Sequence, residues 1–345
     1  MNSTLKGLSP LFSIFLVVAL VIGGAIWIES VRAGQARQEG YQIIRPPHEV
    51  HALAIQEDTL WAGGQDGVVG IRLGTGEVFT TLACDQSLDF TRALLVTPDG
   101  TLWIGHIDGL SQYTPTGCRT LTQSDGLPDS RVNALYLDRS GRLWVGTWGG
   151  AAVLTGNGWE VLTKADGLAD DMVNVIYQDH LGGMWFGSAV SPRGGLTWCW
   201  QGQCRIYNTD SGLIHNQISA IMEDGNQNIW VGAGFFDRGG ANRLVFQQTE
   251  WIIEQSLSRR DGLAGEKVRS IYEDQQHNIW FGSEYDGLAR YDGRQFRILT
   301  TADGLADQEV KVILQDPAGN LWLGGRDGLT WIKPDALYLL EKDSR

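Results

Sequence analysis

The chain has 345 residues, 43% of them apolar, which is enough to build one large core or two modest ones. Its formal net charge is −13, which excludes nucleic acid as a main partner because phosphate binding needs a basic face. The sequence holds 45 glycines but only 9 prolines, and this balance indicates many turns rather than disorder.

The N-terminal region differs in kind from the rest of the chain. Residues 7–28 carry no charge, and most of them form an apolar run long enough to span a bilayer as a helix. A cleaved signal peptide is the alternative, but the AGQA sequence that follows is a poor cleavage site and the apolar run is long. We therefore predict a cytoplasmic tail at 1–6, a single-pass transmembrane signal anchor at 7–28, a linker at 29–40 and an extracytoplasmic remainder.

A short pattern, in which glycine follows tryptophan by two residues, then recurs seven times. The repeated tryptophans are Trp61, Trp103, Trp144, Trp185, Trp230, Trp280 and Trp322. Successive members are 41 to 50 residues apart, which is the period of a repeat architecture. We predict that these tryptophans pack between neighbouring repeats and that the glycines allow an adjacent strand to approach closely.

Each repeat contains four predicted strands. In the third repeat, VNALYLD (132–138) alternates as a strand does, and LWVGT, AAVLTG and WEVLT supply three more before the loop KADGLADD. Four short strands with turns between them are typical of a propeller blade, and such blades must stack around an axis to bury both faces. The predicted fold is therefore all-β, a seven-bladed β-propeller of four-stranded blades preceded by one transmembrane helix.

The propeller is expected to occupy residues 41–345. Its blades are predicted at about 48–90, 91–131, 132–172, 173–216, 217–266, 267–308 and 309–345. The last repeat supplies three clear strands, and YQIIR (41–45) is similar to the fourth strand FRILT (296–300). We predict that YQIIR completes the last blade and removes an exposed sheet edge, whereas the alternative is that LYLLE (337–341) fills this place.

The repeats resemble the two-component regulator propeller repeat. The resemblance rests on RVNALYLDRSGRLWVGTWGG (131–150), on KVRSIYEDQQHNIWFGSEYDGL (267–288) and on the recurring DGL loops, and it covers nearly all of residues 48–332. It implies the extracytoplasmic sensor part of a membrane-bound histidine kinase or hybrid regulator, with carbohydrates or their breakdown products as frequent ligands. The sequence ends at Arg345 without room for a kinase or receiver domain. We therefore expect its output to pass through a membrane signalling partner protein.

One face of the predicted propeller collects the varied loops. The loops between second and third strands emerge beside the DGL loops, whereas the opposite turns (DRSG, DHLGG, DGNQN and DPAGN) are plain turn formers. We expect a carbohydrate-like small molecule to bind at this face, near the central channel, because aromatic faces and a few polar groups suit a sugar ring. The predicted ligand-binding residues are Gln65, His106, Trp148, Arg193, Phe235, Phe236, Asp237, Arg238, Glu284, Tyr285 and Arg326. The alternative is that these loop residues only pack on each other.

An enzymatic function has less support. Streptogramin lyases are also seven-bladed propellers of similar repeat length, but only His106 and His215 lie near the predicted binding face, and neither has an obvious base partner. Common catalytic motifs are absent from the sequence, although a carboxylate pair for glycoside hydrolysis stays open because its spacing is spatial. We expect a binding protein with no catalytic residues, cofactor or metal. The main alternative is a protein–protein interaction platform, followed by a propeller lyase or hydrolase.

Four cysteines are compatible with an extracytoplasmic location. Cys199 and Cys204 flank WQGQ in a predicted hairpin, so we predict that they form a disulfide. Cys84 and Cys118 have no such local argument, and the sequence leaves a disulfide and buried free thiols equally open for them.

Overall fold

The computed structural model describes residues 40–189 and 193–337. In these two ranges, 28 strands form seven antiparallel sheets of four strands each. The predicted tail, the anchor and almost all of the linker lie outside the described residues. Within the described ranges, no helix is both long enough and apolar enough to cross a membrane.

The first four blades follow one another along the chain. Blade 1 contains β2 (Ala52–Gln56), β3 (Thr59–Gly64), β4 (Gly67–Arg72) and β5 (Val78–Thr81). Blade 2 contains β6 (Ala93–Val96), β7 (Leu102–His106), β8 (Gly109–Thr114) and β9 (Gly117–Leu121). Blade 3 contains β10 (Val132–Leu137), β11 (Leu143–Thr147), β12 (Gly150–Thr155) and β13 (Gly158–Leu162). Blade 4 contains β14 (Val173–Gln178), β15 (Met184–Ser188), β16 (Leu196–Trp200) and β17 (Gln203–Tyr207).

The last three blades complete the ring. Blade 5 contains β18 (Ile218–Glu223), β19 (Ile229–Phe235), β20 (Arg238–Gln247) and β21 (Glu250–Leu257). Blade 6 contains β22 (Val268–Glu273), β23 (Ile279–Ser283), β24 (Leu288–Tyr291) and β25 (Phe296–Leu299). Blade 7 contains β26 (Val312–Gln315), β27 (Leu321–Gly325), β28 (Gly328–Ile332) and β1 (Tyr41–Ile44). The first strand of each of the seven repeats is innermost, and such strands of neighbouring blades contact one another around the axis.

Strand β1 closes the ring from the other end of the described chain. It pairs antiparallel with β28, with Tyr41 opposite Ile332 and Ile44 opposite Leu329. Ile44 is buried in a cluster with Trp322 and Trp331, so the strand joins the core as well as the sheet. Leu337, the first residue of the alternative segment LYLLE, belongs to a one-turn helix at 334–337, and the rest of that segment lies outside the described residues.

Tryptophans and glycines of the repeats hold neighbouring blades together. All seven repeated tryptophans are buried, with at most 8% of their surface exposed. Trp144 of blade 3, for example, packs on Phe186 of blade 4 with 5.6 Å between ring centroids. A Cβ added to Gly105 would lie only 2.6 Å from Val132 in the next blade, so this position requires glycine for close packing.

The turns opposite the varied loops contribute to this core, in addition to the plain turn-forming role that their sequences predict. In five blades the first residue of the turn is an aspartate whose carboxylate accepts the indole N–H of the repeated tryptophan at 2.8 to 2.9 Å. These aspartates are Asp138, Asp179, Asp224, Asp274 and Asp316. The turn residue therefore satisfies a buried donor that the packing of blades would otherwise leave without a partner.

The DGL loops form a capped connection between blades. Residues Lys164–Asp166 form a short 3₁₀ helix, in which Thr163 Oγ1 accepts from Ala165 N–H and Asp166 accepts from Thr163 N–H. Gly167 then ends the turn with φ 106°, a left-handed conformation that glycine adopts without strain. Four other connections repeat this geometry. The capping box explains why threonine, aspartate and glycine recur at these places.

Candidate functional site

The loops between second and third strands and the connections between blades meet on one side of the propeller, here called the connection face. Backbone hydrogen bonds join the two sets: Ala189 N–H donates to Met172 O, and Gly234 N–H donates to Gln217 O, both at 3.0 Å. Gly287 N–H likewise donates to Gln308 O at 2.8 Å. Side chains of both sets are therefore close enough to form a common site.

Seven equivalent residues, here called the axial ring, lie where the innermost strands begin on the connection face. They are His51, Arg92, Asn133, Asn174, Ser219, Arg269 and Lys311. Each immediately precedes the residue that pairs with a repeat glycine; Ala134, for example, pairs with Gly146. Together they line a cavity of about 140 Å³ in the central channel. The symmetry of the fold thus brings one polar side chain from every blade to the axis.

β-bulges aim four of these side chains. The strand register shifts at Asn133, Asn174, Ser219 and Arg269, so each of them lies opposite no single partner residue. A bulge inserts an extra residue and changes the direction of its side chain, which is a frequent device next to binding sites. The bulges take these four residues out of the regular strand pairing, whereas His51, Arg92 and Lys311 stand just before their strands begin.

Ion pairs connect the ring to the rim of the channel. Lys311 contacts Glu49, and its Nζ lies 3.4 Å from a carboxylate oxygen of Glu309. Arg269 lies 3.8 Å from Glu309, and Arg326 lies 3.5 Å from both carboxylates. Burial raises the pKa of Glu309 above its ordinary value, although the nearby cations act in the opposite direction.

The pKa of His51 is affected by the positive charges around the channel. Its pKa is lowered to about 3, first by burial and then by the positive charges of Lys311, Arg269 and Arg92. The imidazole is therefore neutral at ordinary pH, and the cations around it define an electropositive channel.

Trp148 links the rim to the axial ring. Its indole N–H donates to Asn133 Oδ1 at 3.3 Å, and the Arg131 guanidinium lies over its ring, 4.2 Å from the centroid. Asp129 holds Arg131 in this position through two side-chain hydrogen bonds of 2.8 and 2.6 Å. Trp148 is thus half-buried and oriented, unlike a freely exposed loop residue.

A second cavity, here called the aromatic cavity, lies on the connection face between blades 5 and 6. Its volume is about 340 Å³, and its lining residues are Phe236, Asp237, Arg259, Glu266, Lys267, Ser283, Tyr285 and Asp286. Phe236 is 64% exposed and Tyr285 is 53% exposed, so both rings are open to a ligand. Glu284 forms a largely buried ion pair with Lys267 at 2.6 Å, which fixes the floor of this region.

The remaining predicted site residues are distributed differently. Phe235 packs edge-on against Phe236, with ring centroids 4.2 Å apart. Gln65 and Arg193 are exposed on connection-face loops, and Arg238 is exposed at the beginning of β20. His106 is fully buried inside blade 2, where Nε2 lies 2.8 Å from Ser111 Oγ and Nδ1 accepts from Asp108 N–H at 3.3 Å.

Arg326 belongs to the rim network described above. Trp148 and Arg326 are therefore associated with the channel, Phe236, Asp237 and Tyr285 share the aromatic cavity, and Glu284 supports that cavity. His106 belongs to the interior of its own blade, because the short loop that follows it folds the imidazole back onto Ser111. Its buried ring is not available to a ligand in this conformation.

Sequence reasoning missed the axial ring, although the repeats carry a signal for it. Aligned on their tryptophans, the repeats read HAL, RAL, NAL, NVI, SAI, RSI and KVI at the beginning of the first strand. A polar residue thus stands in the same column of every repeat, next to a small or β-branched one. Such a column predicts a polar ring around the axis of a propeller.

Both cysteine pairs are bonded. Cys199 and Cys204 form a disulfide across the β16–β17 hairpin, and Cys84 and Cys118 form the second one, for which the sequence left two possibilities open. In the part of the chain that the structure describes, no group of three or more His, Cys, Asp and Glu side chains could hold a metal ion.

The fold and the repeated sequence together define a seven-bladed β-propeller built from one repeated motif. The family described as "Two component regulator propeller" matches residues 126–149, 212–234, 262–285 and 304–327. The chain therefore carries two component regulator propeller repeats, and the resemblance drawn from its sequence is confirmed. No curated protein sequence matches the chain.

Solved structures share the fold at low sequence identity. The extracellular domain of the hybrid two component system BT3049 from B. thetaiotaomicron is 20% identical with a TM-score of 0.75, covering 86% of this chain and 41% of that one. This chain therefore spans less than half the length of that structure.

Two other structures extend the comparison. A catalytically inactive histidine-to-alanine variant of virginiamycin B lyase from Staphylococcus aureus, with quinupristin, is 14% identical with a TM-score of 0.62, covering 85% of this chain and 98% of that one. YCF48 from Cyanidioschyzon merolae is 15% identical with a TM-score of 0.62, covering 86% and 99%. At such identities the likeness establishes the propeller fold alone.

Proposed function

We propose that the chain is a sensory propeller that binds a small molecule at its connection face and passes the signal to a partner protein. The observation that carries the proposal is the aromatic cavity, where exposed Phe236 and Tyr285 stand beside charged and hydroxyl side chains. The regulator propeller repeats and the likeness to the extracellular domain of a hybrid two component system support a sensory role.

The proposed ligand is carbohydrate-like. Aromatic faces such as those of Phe236 and Tyr285 pack on the apolar face of a sugar ring, and Asp237 and Asp286 supply hydrogen-bonding groups for its hydroxyls. The cavity of about 340 Å³ lies within the range of small-molecule sites.

The proposed location is extracytoplasmic, with anchorage in the membrane through residues 7–28. Support comes from the uncharged N-terminal run and from the two disulfides, Cys84–Cys118 and Cys199–Cys204, because disulfides persist in oxidising compartments. The sensing propeller would thus face the medium in which its ligand occurs, and a membrane partner would carry the output inward.

A thermal-shift and calorimetric screen of the purified full chain against neutral mono- and disaccharides tests this function. At least one saccharide should raise the unfolding midpoint in a saturable way, because a ligand that binds only the folded state stabilises it. Phe236→Ala and Tyr285→Ala should each weaken binding at least tenfold, whereas Phe79→Ala, an exposed aromatic on the outer strand β5, should not. Full binding by the cavity variants would overturn the site.

A protein-interaction platform is the second candidate. The Phe235–Phe236 pair favours it, since both rings are exposed and adjacent on the surface, as aromatic anchors of protein interfaces are. Recovery of a stoichiometric polypeptide partner that depends on these two rings, with no small-molecule response, would support the platform instead. Turnover of any substrate would contradict both candidates, which assume binding without catalysis.

A further inference from the structure

The axial ring concentrates positive charge in a chain that is acidic as a whole. Arg92, Arg269 and Lys311 line the same cavity of about 140 Å³, although the formal net charge of the chain is −13. His51 lies among them, and every charge that contributes to its lowered pKa is positive. Cations of the same sign repel one another, and they collect in one place only where something offsets them.

Two carboxylates offset part of this charge. Glu309 lies within 3.8 Å of both Arg269 and Lys311, and Glu49 contacts Lys311. Arg326 at the rim shares the same two carboxylates, at 3.5 Å from each. On this side of the channel, two negative charges therefore face three positive charges, and one positive charge is left in excess.

Arg92 adds a further positive charge on the other side. Among the described residues it has no carboxylate partner, and its Nη1 donates only a long hydrogen bond of 3.4 Å to Asn133 Oδ1. The nearby charge that acts on its pKa is that of Arg269, another cation. Arg92 is exposed, and a guanidinium carries five N–H donors in a planar fork, so most of the donors of Arg92 are open to a ligand or to solvent.

Asn133 accepts a hydrogen bond from this guanidinium, but its neutral amide does not offset the positive charge. Its Nδ2 donates to Val173 O at 3.3 Å, which turns Oδ1 toward Arg92 and Trp148. The amide orientation is thus set by the next blade, and the indole of Trp148 covers the same oxygen. Arg92 thus lies at the edge of the cavity, exposed and within hydrogen-bonding distance of this oxygen.

We propose that the axial ring binds an oxyanion, namely a carboxylate, sulfate or phosphate group, with Arg92, Arg269 and Lys311 as its cationic ligands. Oxyanions accept charge-assisted hydrogen bonds from guanidinium and ammonium groups, and one such group offsets one or both of the two excess positive charges. The cavity of about 140 Å³ has room for one oxyanion group. The anion is either a free ion or the acidic group of a larger molecule. This inference does not depend on the sensory function, because it concerns the channel and not the aromatic cavity.

Titration of the full chain with sulfate, phosphate, acetate and glucuronate tests the proposal. Sodium chloride at matched ionic strength is the reference, and glucose is the neutral counterpart of glucuronate. At least one oxyanion should raise the unfolding midpoint saturably. Chloride and glucose should cause no rise that depends on the axial-ring residues. Binding of sulfate, phosphate and acetate alike identifies a free ion as sufficient, whereas binding of glucuronate alone identifies an acidic organic ligand.

Charge-matched variants assign the binding to the ring. Arg92→Gln should weaken oxyanion binding at least tenfold, and it removes no ion pair within the described residues, so the fold should persist. Arg294→Gln removes the same charge from an exposed turn of blade 6 and should leave the affinity unchanged. Lys311→Gln should also weaken binding, but it separates Lys311 from Glu49 and Glu309 and therefore needs a folding control by circular dichroism.

Two outcomes would overturn the proposal: no saturable response to any oxyanion beyond that of chloride, or equal affinity in Arg92→Gln and the wild type. The aromatic cavity gives a separate readout. If Phe236→Ala abolishes neutral saccharide binding while oxyanion binding is retained, the two sites are distinct. Failure of the saccharide screen would therefore leave the oxyanion result standing, and the reverse also holds.

Discussion

Two tryptophans, Trp144 and Trp148, stand four residues apart and perform different tasks. Trp144 is buried, donates to Asp138 at 2.9 Å and packs on Phe186 of the next blade. Trp148 is half-buried at the rim of the channel and donates to Asn133 of the axial ring. Trp144 therefore belongs to the core between blades, and Trp148 belongs to the connection face.

The aspartates that accept from buried indoles should be strong determinants of stability. Asp179 Oδ2 accepts from both Trp185 and Trp198 at 2.8 Å. Asp179→Ala leaves two buried N–H donors without an acceptor, so we expect a loss of about 3 kcal/mol or more in the free energy of unfolding. Urea denaturation measures this loss, with Asp58→Ala, whose side chain is 79% exposed, as the control. Equal stability of the two variants would contradict the role of the carboxylate.

His51 should make stability depend on pH. Its pKa in the folded chain is lowered from 6.5 to about 3, with burial as the largest cause. Between these two pH values the unfolded chain binds a proton that the folded chain excludes, so stability falls as the pH falls through this window. We expect His51→Gln to lose less stability than the wild type between pH 7 and pH 4, measured by urea denaturation at both values. An identical loss in the two proteins would show that this histidine is not excluded from protonation.

At the scale of elements, neighbouring residues in the sequence determine the shape of each connection between blades, and contacts with the next blade determine its position. A threonine, serine or asparagine caps each of the five 3₁₀ turns, and a glycine with positive φ ends it. The turn is therefore determined by residues that are neighbours in sequence. Its position in the ring depends instead on contacts with the following blade, as when Gly126 packs beside Trp159.

Strand β1 is the element that joins the two ends of the described chain. Ile44 is buried, with 5% exposure, whereas its neighbour Ile43 faces solvent with 43% exposure. We expect Ile44→Ala to lower the free energy of unfolding by about 2–5 kcal/mol, because it leaves a cavity in the core of blade 7. Ile43→Ala is a matched control and should change stability by less than about 1 kcal/mol. Similar small effects of both changes would mean that β1 is not an integral part of that blade.

At the scale of the whole molecule, the architecture could be predicted from the sequence because every blade repeats the same local signal. Trp-x-Gly marks the second strand in seven copies, which define seven blades without knowledge of long-range contacts, and DGL or SGL marks five of the connections. The prediction that the varied loops share one face rests on the same alternation of turns. The axial ring is also readable from the polar column of the aligned repeats, whereas the bulges at Asn133 and Arg269 depend on pairing between strands and could not be predicted. His106 was misleading for a related reason, because its place at the end of β7 does not reveal that its imidazole packs inward against Ser111.

Hydrogen–deuterium exchange of the full chain, with and without the saccharide that stabilises it most in the screen, tests the central claim most directly. The proposed function predicts slower exchange at the connection face, in segments 235–238 and 284–287, because a bound ligand restricts the opening of these loops. The opposite turns, at 180–183 and 225–228, should exchange at unchanged rates. Protection at the opposite turns instead, or no local protection with any saccharide of the panel, would contradict ligand binding at the connection face.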